Sequence, residues 1–218
     1  RMNATSLSTR QCPVLFAPQM AQGLIGALIG AVSGGSLYRK ASFMLDQLDK
    51  QIMPSFVRIH EQPLLKGALG SSSYDGEGVA TQTRDIVSAG ILRGYVLSSY
   101  SARKLGMRTT GNASGVHNLT VDPGELDFNG LLTLMGTGLL VTELLGQGVN
   151  RVTGDYSRGA SGFWVENGVI QFPVEEITIA GNLKTMLSNI VAIGNDVDLR
   201  GNIRTGSILL EKMSIAGQ

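Results

Sequence analysis

The apolar positions fall into short blocks whose spacing changes along the chain. Residues 14–32 (VLFAPQMAQGLIGALIGAV) carry no charge. Such a run reaches the lower limit for a membrane span. Pro18, Gln19 and Gln22 interrupt it, however, and basic residues flank both ends (Arg10; Arg39 and Lys40), so no orientation signal results. The pattern instead predicts a strand over 13–17 and a buried helix from Pro18, with the proline in the first turn. Within that helix Gly23, Gly26, Ala27, Gly30, Ala31 and Gly34 recur every three or four residues as a stripe of small side chains. Each interior glycine costs about 1 kcal/mol relative to alanine. The stripe therefore predicts that another backbone packs on it, at the centre of the domain or at a subunit seam.

Residues 36–52 read as a polar-to-amphipathic helix closed by Pro54. A short strand at 56–61 and a Gly/Ser-rich loop at 64–78 follow. Strands at 79–87 and 91–98 flank Ser88-Ala89-Gly90, a hairpin signal. Beyond them lie a short helix at 101–105, a strand at 118–122 ended by Pro123-Gly124, a helix at 126–135 and a buried strand at 138–145. Asn167-Gly168 separates strands at 163–166 and 169–174, the dipeptide of a type I′ turn. A helix at 182–189 and a last strand at 207–215 complete the pattern, and a strand ending recurs as ITIAG (177–181) and MSIAG (213–217). These elements predict an α+β fold: mostly antiparallel sheets with hairpins, packed with a few helices that include the buried Gly/Ala-rich one. The regular strand–helix alternation of a parallel α/β sheet is absent.

Composition supports that picture. Hydrophobic residues are 43% and charged residues 16%, which excludes intrinsic disorder. Glycine contributes 29 of 218 residues against only 6 prolines, a balance of tight hairpins and close backbone approaches rather than linkers. Eighteen Lys and Arg oppose seventeen Asp and Glu, so nothing marks the chain as a nucleic-acid or polybasic membrane binder. One cysteine excludes an internal disulfide, and nothing resembles a signal peptide; a reducing cytoplasm is the expected compartment. Sequons at Asn3, Asn112 and Asn118 carry no meaning there. The opening Arg1, in place of a start methionine, points to a fragment or processed chain.

Candidate chemistry is sparse. There is no phosphate-binding loop and no nucleophile elbow. A zinc cage would need Cys12, His60 and His117 to converge with a carboxylate. His60-Glu61 is followed by Pro63 with no second histidine in helical register, so it reads as a strand-end pair. His117, in a Gly/Ser/Asn loop, reads as a turn or surface histidine, and Cys12 as a small buried hydrophobe. Asp196 and Asp198 read as a turn, and Arg103, Lys104 and Arg108 as a solvated helix end. The segment 155–162 (DYSRGASG) is polar, carries an aromatic and precedes a strand. Tyr156, Ser157, Arg158, Ser161 and Phe163 are the candidates for lining a peptide or partner groove, with plain loop packing as the alternative.

Three long stretches carry a family resemblance: 33–52 (SGGSLYRKASFMLDQLDKQI), 78–115 (GVATQTRDIVSAGILRGYVLSSYSARKLGMRTTGNASG) and 155–183 (DYSRGASGFWVENGVIQFPVEEITIAGNL). The chain resembles the TldD/PmbA family, also known as modulators of DNA gyrase. The likeness is to the PmbA (TldE) branch and to the C-terminal half of a member, so 1–218 is taken as one C-terminal domain. The resemblance implies that TldD-type subunits carry a metal, zinc above all, on H-E-x-x-x-H and a later cysteine. It also implies that they pair with PmbA-type subunits to cut unstructured peptides, including microcin precursors and a labile antitoxin. Counting from Arg39-Lys40 places the motif's histidines on Gly26 and Ala31 and its glutamate on Ala27, and residues 199–217 hold no cysteine. The resemblance thus implies a chain with no catalytic residue, no metal and no cofactor of its own, partnering a TldD-like metal-bearing subunit. A homodimer of the isolated chain is a further expectation; a membrane or nucleic-acid partner is not. Two alternatives stand beside it: a peptidase with an unrecognised site, and a non-proteolytic modulator of gyrase or of a toxin–antitoxin pair.

Overall fold

The computed structural model describes residues 3–217; Arg1, on which the fragment reading rests, lies outside them. Strand β1 (Arg10–Phe16) leads into α1 (Pro18–Ala31) and a short α2 (Gly34–Tyr38). Then come β2 (Ile59–Glu61), β3 (Arg84–Ser88), β4 (Ile91–Leu92), α3 (Ser99–Lys104), β5 (Leu119–Val121) and α4 (Phe128–Met135). The remainder is β6 (Gly138–Leu145), β7 (Asp155–Glu166), β8 (Val169–Asn182), α5 (Leu183–Ser188), β9 (Ile190–Ile193), β10 (Ile203–Arg204) and β11 (Ile208–Gly217). The fold is α+β, as the sequence predicts.

Strands β1, β6, β7, β8 and β11 close a ring of pairings, since β11 pairs with β1 as well as β8, and β9 adds to β11. A second sheet runs β10-β5-β2-β3-β4. Pairing is antiparallel except for β1 with β6 and β10 with β5. The two A-G endings pair with each other, Ser214 facing Ala180 and Gly217 facing Ile177.

The charge-free stretch at 14–32 follows from burial on both faces of β1. Val14 and Phe16 point into the main core, which joins α1, the ring and the second sheet, while Leu15 points into a smaller core against α4. Leu139 and Val141 against Leu140, and Ile208 and Leu210 against Leu209, repeat that alternation, the period of two inherent to a strand. Both hairpin signals form turns of the kind expected. Asn167 and Gly168 have φ of 49° and 75°, and Ala89 and Gly90 have 50° and 73°. A side chain at Gly90 would strike the Met53 and Pro54 carbonyls, so no larger residue fits that tip.

Four expectations need correction. The stripe meets another backbone only at its end, where Ala31 is buried and Gly34 N donates to the Val96 carbonyl (2.9 Å); the rest of the helix's buried face is Ala21, Leu24, Ile25, Leu28 and Ile29. Gly23 is open, Gly26 faces the Ile203 side chain and Gly30 faces Arg151. The helix expected over 36–52 stops at Tyr38. Lys40, Asp46 and Asp49 adopt positive φ, and buried Ser42 donates to the Ala31 carbonyl (2.5 Å) while Phe43, Met44, Ile52 and Met53 turn into the core. Segment 155–162 is no loop but the first two-thirds of β7, paired with β8 except at an irregularity at Ser161. His117 is buried rather than on the surface. No helix among the described residues is long and apolar enough to cross a membrane.

Candidate functional site

Loop 146–151 leaves β6 and folds back along the start of β7. Ser157 N donates to Gly148 O (2.8 Å) and Asn150 N to Asp155 O (2.8 Å). The Asn150 side chain accepts from Val152 N (2.9 Å) and Thr153 N (3.2 Å), fixing the turn before Gly154. Between loop and strand lies an open groove of about 940 Å³, lined by 146–151 with Asp155, Ser157 and Arg158.

Of the five candidate lining residues, the groove receives Ser157 and Arg158. Tyr156 alternates into the core, where burial pushes its phenol up to about 12 against the pull of the Arg158 charge. Neither its hydroxyl nor Arg158 Nε makes a hydrogen bond of normal geometry among the described residues. Ser161 is buried beside a separate cleft with Leu145, Glu175 and Thr178. Phe163 packs on the smaller core near α4. The period of a strand thus divides what the sequence groups as one loop.

The groove also meets α1. The Arg151 guanidinium lies against Gly30, with Cζ and Nε 3.3 Å from where a Cβ would stand. Arg151 and Gln147 escaped sequence reasoning, because nothing in GQGVNR distinguishes a groove wall from an ordinary turn. Arg158 Nη2 donates to Gly146 O (2.8 Å) and so holds the loop to the strand.

A second polar assembly is internal. Glu61, 1% exposed, accepts from Arg84 Nε (2.8 Å), Asn112 Nδ2 (3.2 Å) and His117 N (3.0 Å). His117 Nδ1 stands 3.6 Å from the same carboxylate, and His60 Nε2 lies 2.9 Å from Asp122 Oδ1. Asp75 accepts from the backbone N–H groups of Glu77, Val79 and Ala113. These contacts knit the long loops to the second sheet and saturate the buried carboxylates. Cys12 is buried apart from them on β1, its thiol pushed up to about 11 by burial.

Gly26, Ala27 and Ala31 on α1 carry no side-chain nitrogen, oxygen or sulfur. Among the described residues no group of three or more His, Cys, Asp or Glu side chains is placed to hold a metal ion.

The comparisons agree with this architecture. Residues 9–217 match the model of the PmbA/TldA metallopeptidase C-terminal domain. The chain is 57% identical over its whole length to metalloprotease PmbA of Escherichia coli O157:H7, covering 48% of that protein. It is equally identical to a metalloprotease PmbA homologue of Haemophilus influenzae, again covering 48%. Among solved structures, a suggested modulator of DNA gyrase from Bacteroides thetaiotaomicron aligns over 99% of this chain and 49% of its own, at 32% identity and a TM-score of 0.94. TldE from Thermococcus kodakarensis, 24% identical, shares the fold with a TM-score of 0.87. The chain spans about half the length of the curated relatives it matches. It belongs to the PmbA/TldD metallopeptidase family and corresponds to the C-terminal domain of its members.

Proposed function

We propose that residues 1–218 form the C-terminal domain of a non-catalytic subunit that pairs with a TldD-like metal-bearing subunit. The complex would degrade or process unstructured peptides in the cytoplasm. The observation that carries this reading is the character of α1: Gly26, Ala27 and Ala31 occupy the positions where the resemblance puts two metal-binding histidines and a glutamate. Ala31 is fully buried. A histidine there would overpack the core, at a cost of about 1–3 kcal/mol. The subunit's contribution is then structural: it stabilises its partner and helps enclose the peptide.

The test is assembly. The full-length protein mixed with its H-E-x-x-x-H-bearing paralogue is expected to elute as one complex in size-exclusion chromatography. The triple variant Gly26→His, Ala27→Glu, Ala31→His is expected not to bind zinc tightly, since the later cysteine is also missing. Separate elution, or stoichiometric tight zinc in the triple variant, contradicts the reading. A second reading is favoured by the word metalloprotease in the relatives' names: a peptidase whose metal ligands lie outside these 218 residues. Metal in the purified full-length protein at one ion per chain, without the paralogue, supports that alternative.

A further inference from the structure

We infer that the groove between loop 146–151 and β7 binds the carboxylates of an acidic peptide segment. The inference rests on the peptide-handling reading above and names the class of peptide. The wall is rich in donors that the protein does not use. Arg158 Nη2 donates to Gly146 O and its guanidinium also lies beside the Tyr156 hydroxyl, but no carboxylate neutralises it among the described residues. Arg151 makes no side-chain hydrogen bond or ion pair there; its guanidinium lies against α1 at Gly30. Ser157 and Gln147 add a hydroxyl and an amide to the same wall.

The single carboxylate in the lining, Asp155, accepts from Asn182 Nδ2 (3.2 Å). Two guanidinium groups against one engaged carboxylate make a site for a ligand that is anionic and rich in acceptors. Guanidinium forks match carboxylates in geometry as well as charge. A nucleic-acid backbone is the weaker match: two arginines are too few for a phosphate track, and the chain's net charge is only +1. The glycine at position 30 gains a role here, since a larger residue would lift Arg151 off the helix.

Fluorescence anisotropy on the full-length protein, without its paralogue, tests the inference. The probes are a labelled unstructured peptide rich in Asp and Glu, a Ser/Gln peptide of equal length, and a single-stranded oligonucleotide. The acidic peptide is expected to bind about tenfold more tightly than the neutral one, with the preference screened by salt. The oligonucleotide is expected to bind more weakly than the acidic peptide. Arg151→Gln and Arg158→Gln are each expected to cut the preference about threefold, and together to abolish it. Arg158 also anchors the loop, so Arg151→Gln, which breaks no hydrogen bond, separates binding from folding. No acidic preference, a preference that survives the double variant, or tighter oligonucleotide binding would overturn the inference. Failure to assemble with the paralogue would count against the partner reading alone and leave this measurement standing.

Discussion

Arg151 and Gly30 lie in direct contact, the guanidinium across the helix at a point where a Cβ would come within 3.3 Å of it. That contact joins the groove to the glycine-bearing face of α1, where Gly26 meets the Ile203 side chain. Because the neighbour of Gly30 is the far end of an exposed side chain, it yields easily. Gly23 has no neighbour within 4 Å at all. Gly23→Ala is therefore expected to raise stability by about 0.5–1 kcal/mol through helix propensity alone, and Gly30→Ala by the same or less. Denaturant unfolding of the variants checks this; a loss of stability at Gly23 would mean that another part of the full-length protein packs on the stripe.

Glu61 is the buried charge on which the loops of the second sheet depend. Glu61→Gln leaves the mostly buried Arg84 without its counter-charge and is expected to cost about 3–5 kcal/mol. Adding Arg84→Met should recover part of that loss, because the unpaired cation then disappears. Urea midpoints of the two single variants and the double variant give the coupling. Additive losses would contradict the pairing.

Asp75 sets part of the acid sensitivity. Burial alone would raise its carboxyl, but the N–H groups of Ala113, Val79 and Glu77, with the charge of His117, bring it below the ordinary 3.8. A folded value below the unfolded one stabilises the protein above about pH 4, and the gain disappears as pH falls through the lower folded value. Asp75→Asn should flatten the fall in melting temperature between pH 5 and pH 3. An unchanged slope would contradict the role given to this carboxylate.

Much of the architecture was legible because it is written in local rules. Pro18 at a helix start, Asn167-Gly168 and Ala89-Gly90 at hairpin tips and the apolar run at 138–145 all specify their elements within a few residues. The errors arose where distant contacts decide. Residues 36–52 have helical spacing, yet Phe43, Met44, Ile52 and Met53 gain more from the core than a helix returns. The start of β7 resembles a loop partly because Gly162 serves a close strand approach: a Cβ there would collide with the Leu140 carbonyl. The groove was half visible. Ser157 and Arg158 stand out in the sequence for polarity near a strand, whereas nothing local marks Arg151, whose contact with Gly30 joins residues distant along the chain.

Cys12 is expected to be chemically silent. With its thiol near 11 and its side chain buried, it should resist a thiol reagent at pH 8 in the native protein and react promptly in denaturant. Rapid native labelling would reopen the case for a nucleophile in this chain.

The central claim is that this chain serves a peptidase without being one. Its most direct test is cleavage of an unstructured peptide by the full-length protein, by its metal-bearing paralogue and by the mixture, each with and without chelator. The account predicts chelator-sensitive cleavage only, or mainly, in the mixture. Cleavage by this protein alone would contradict it.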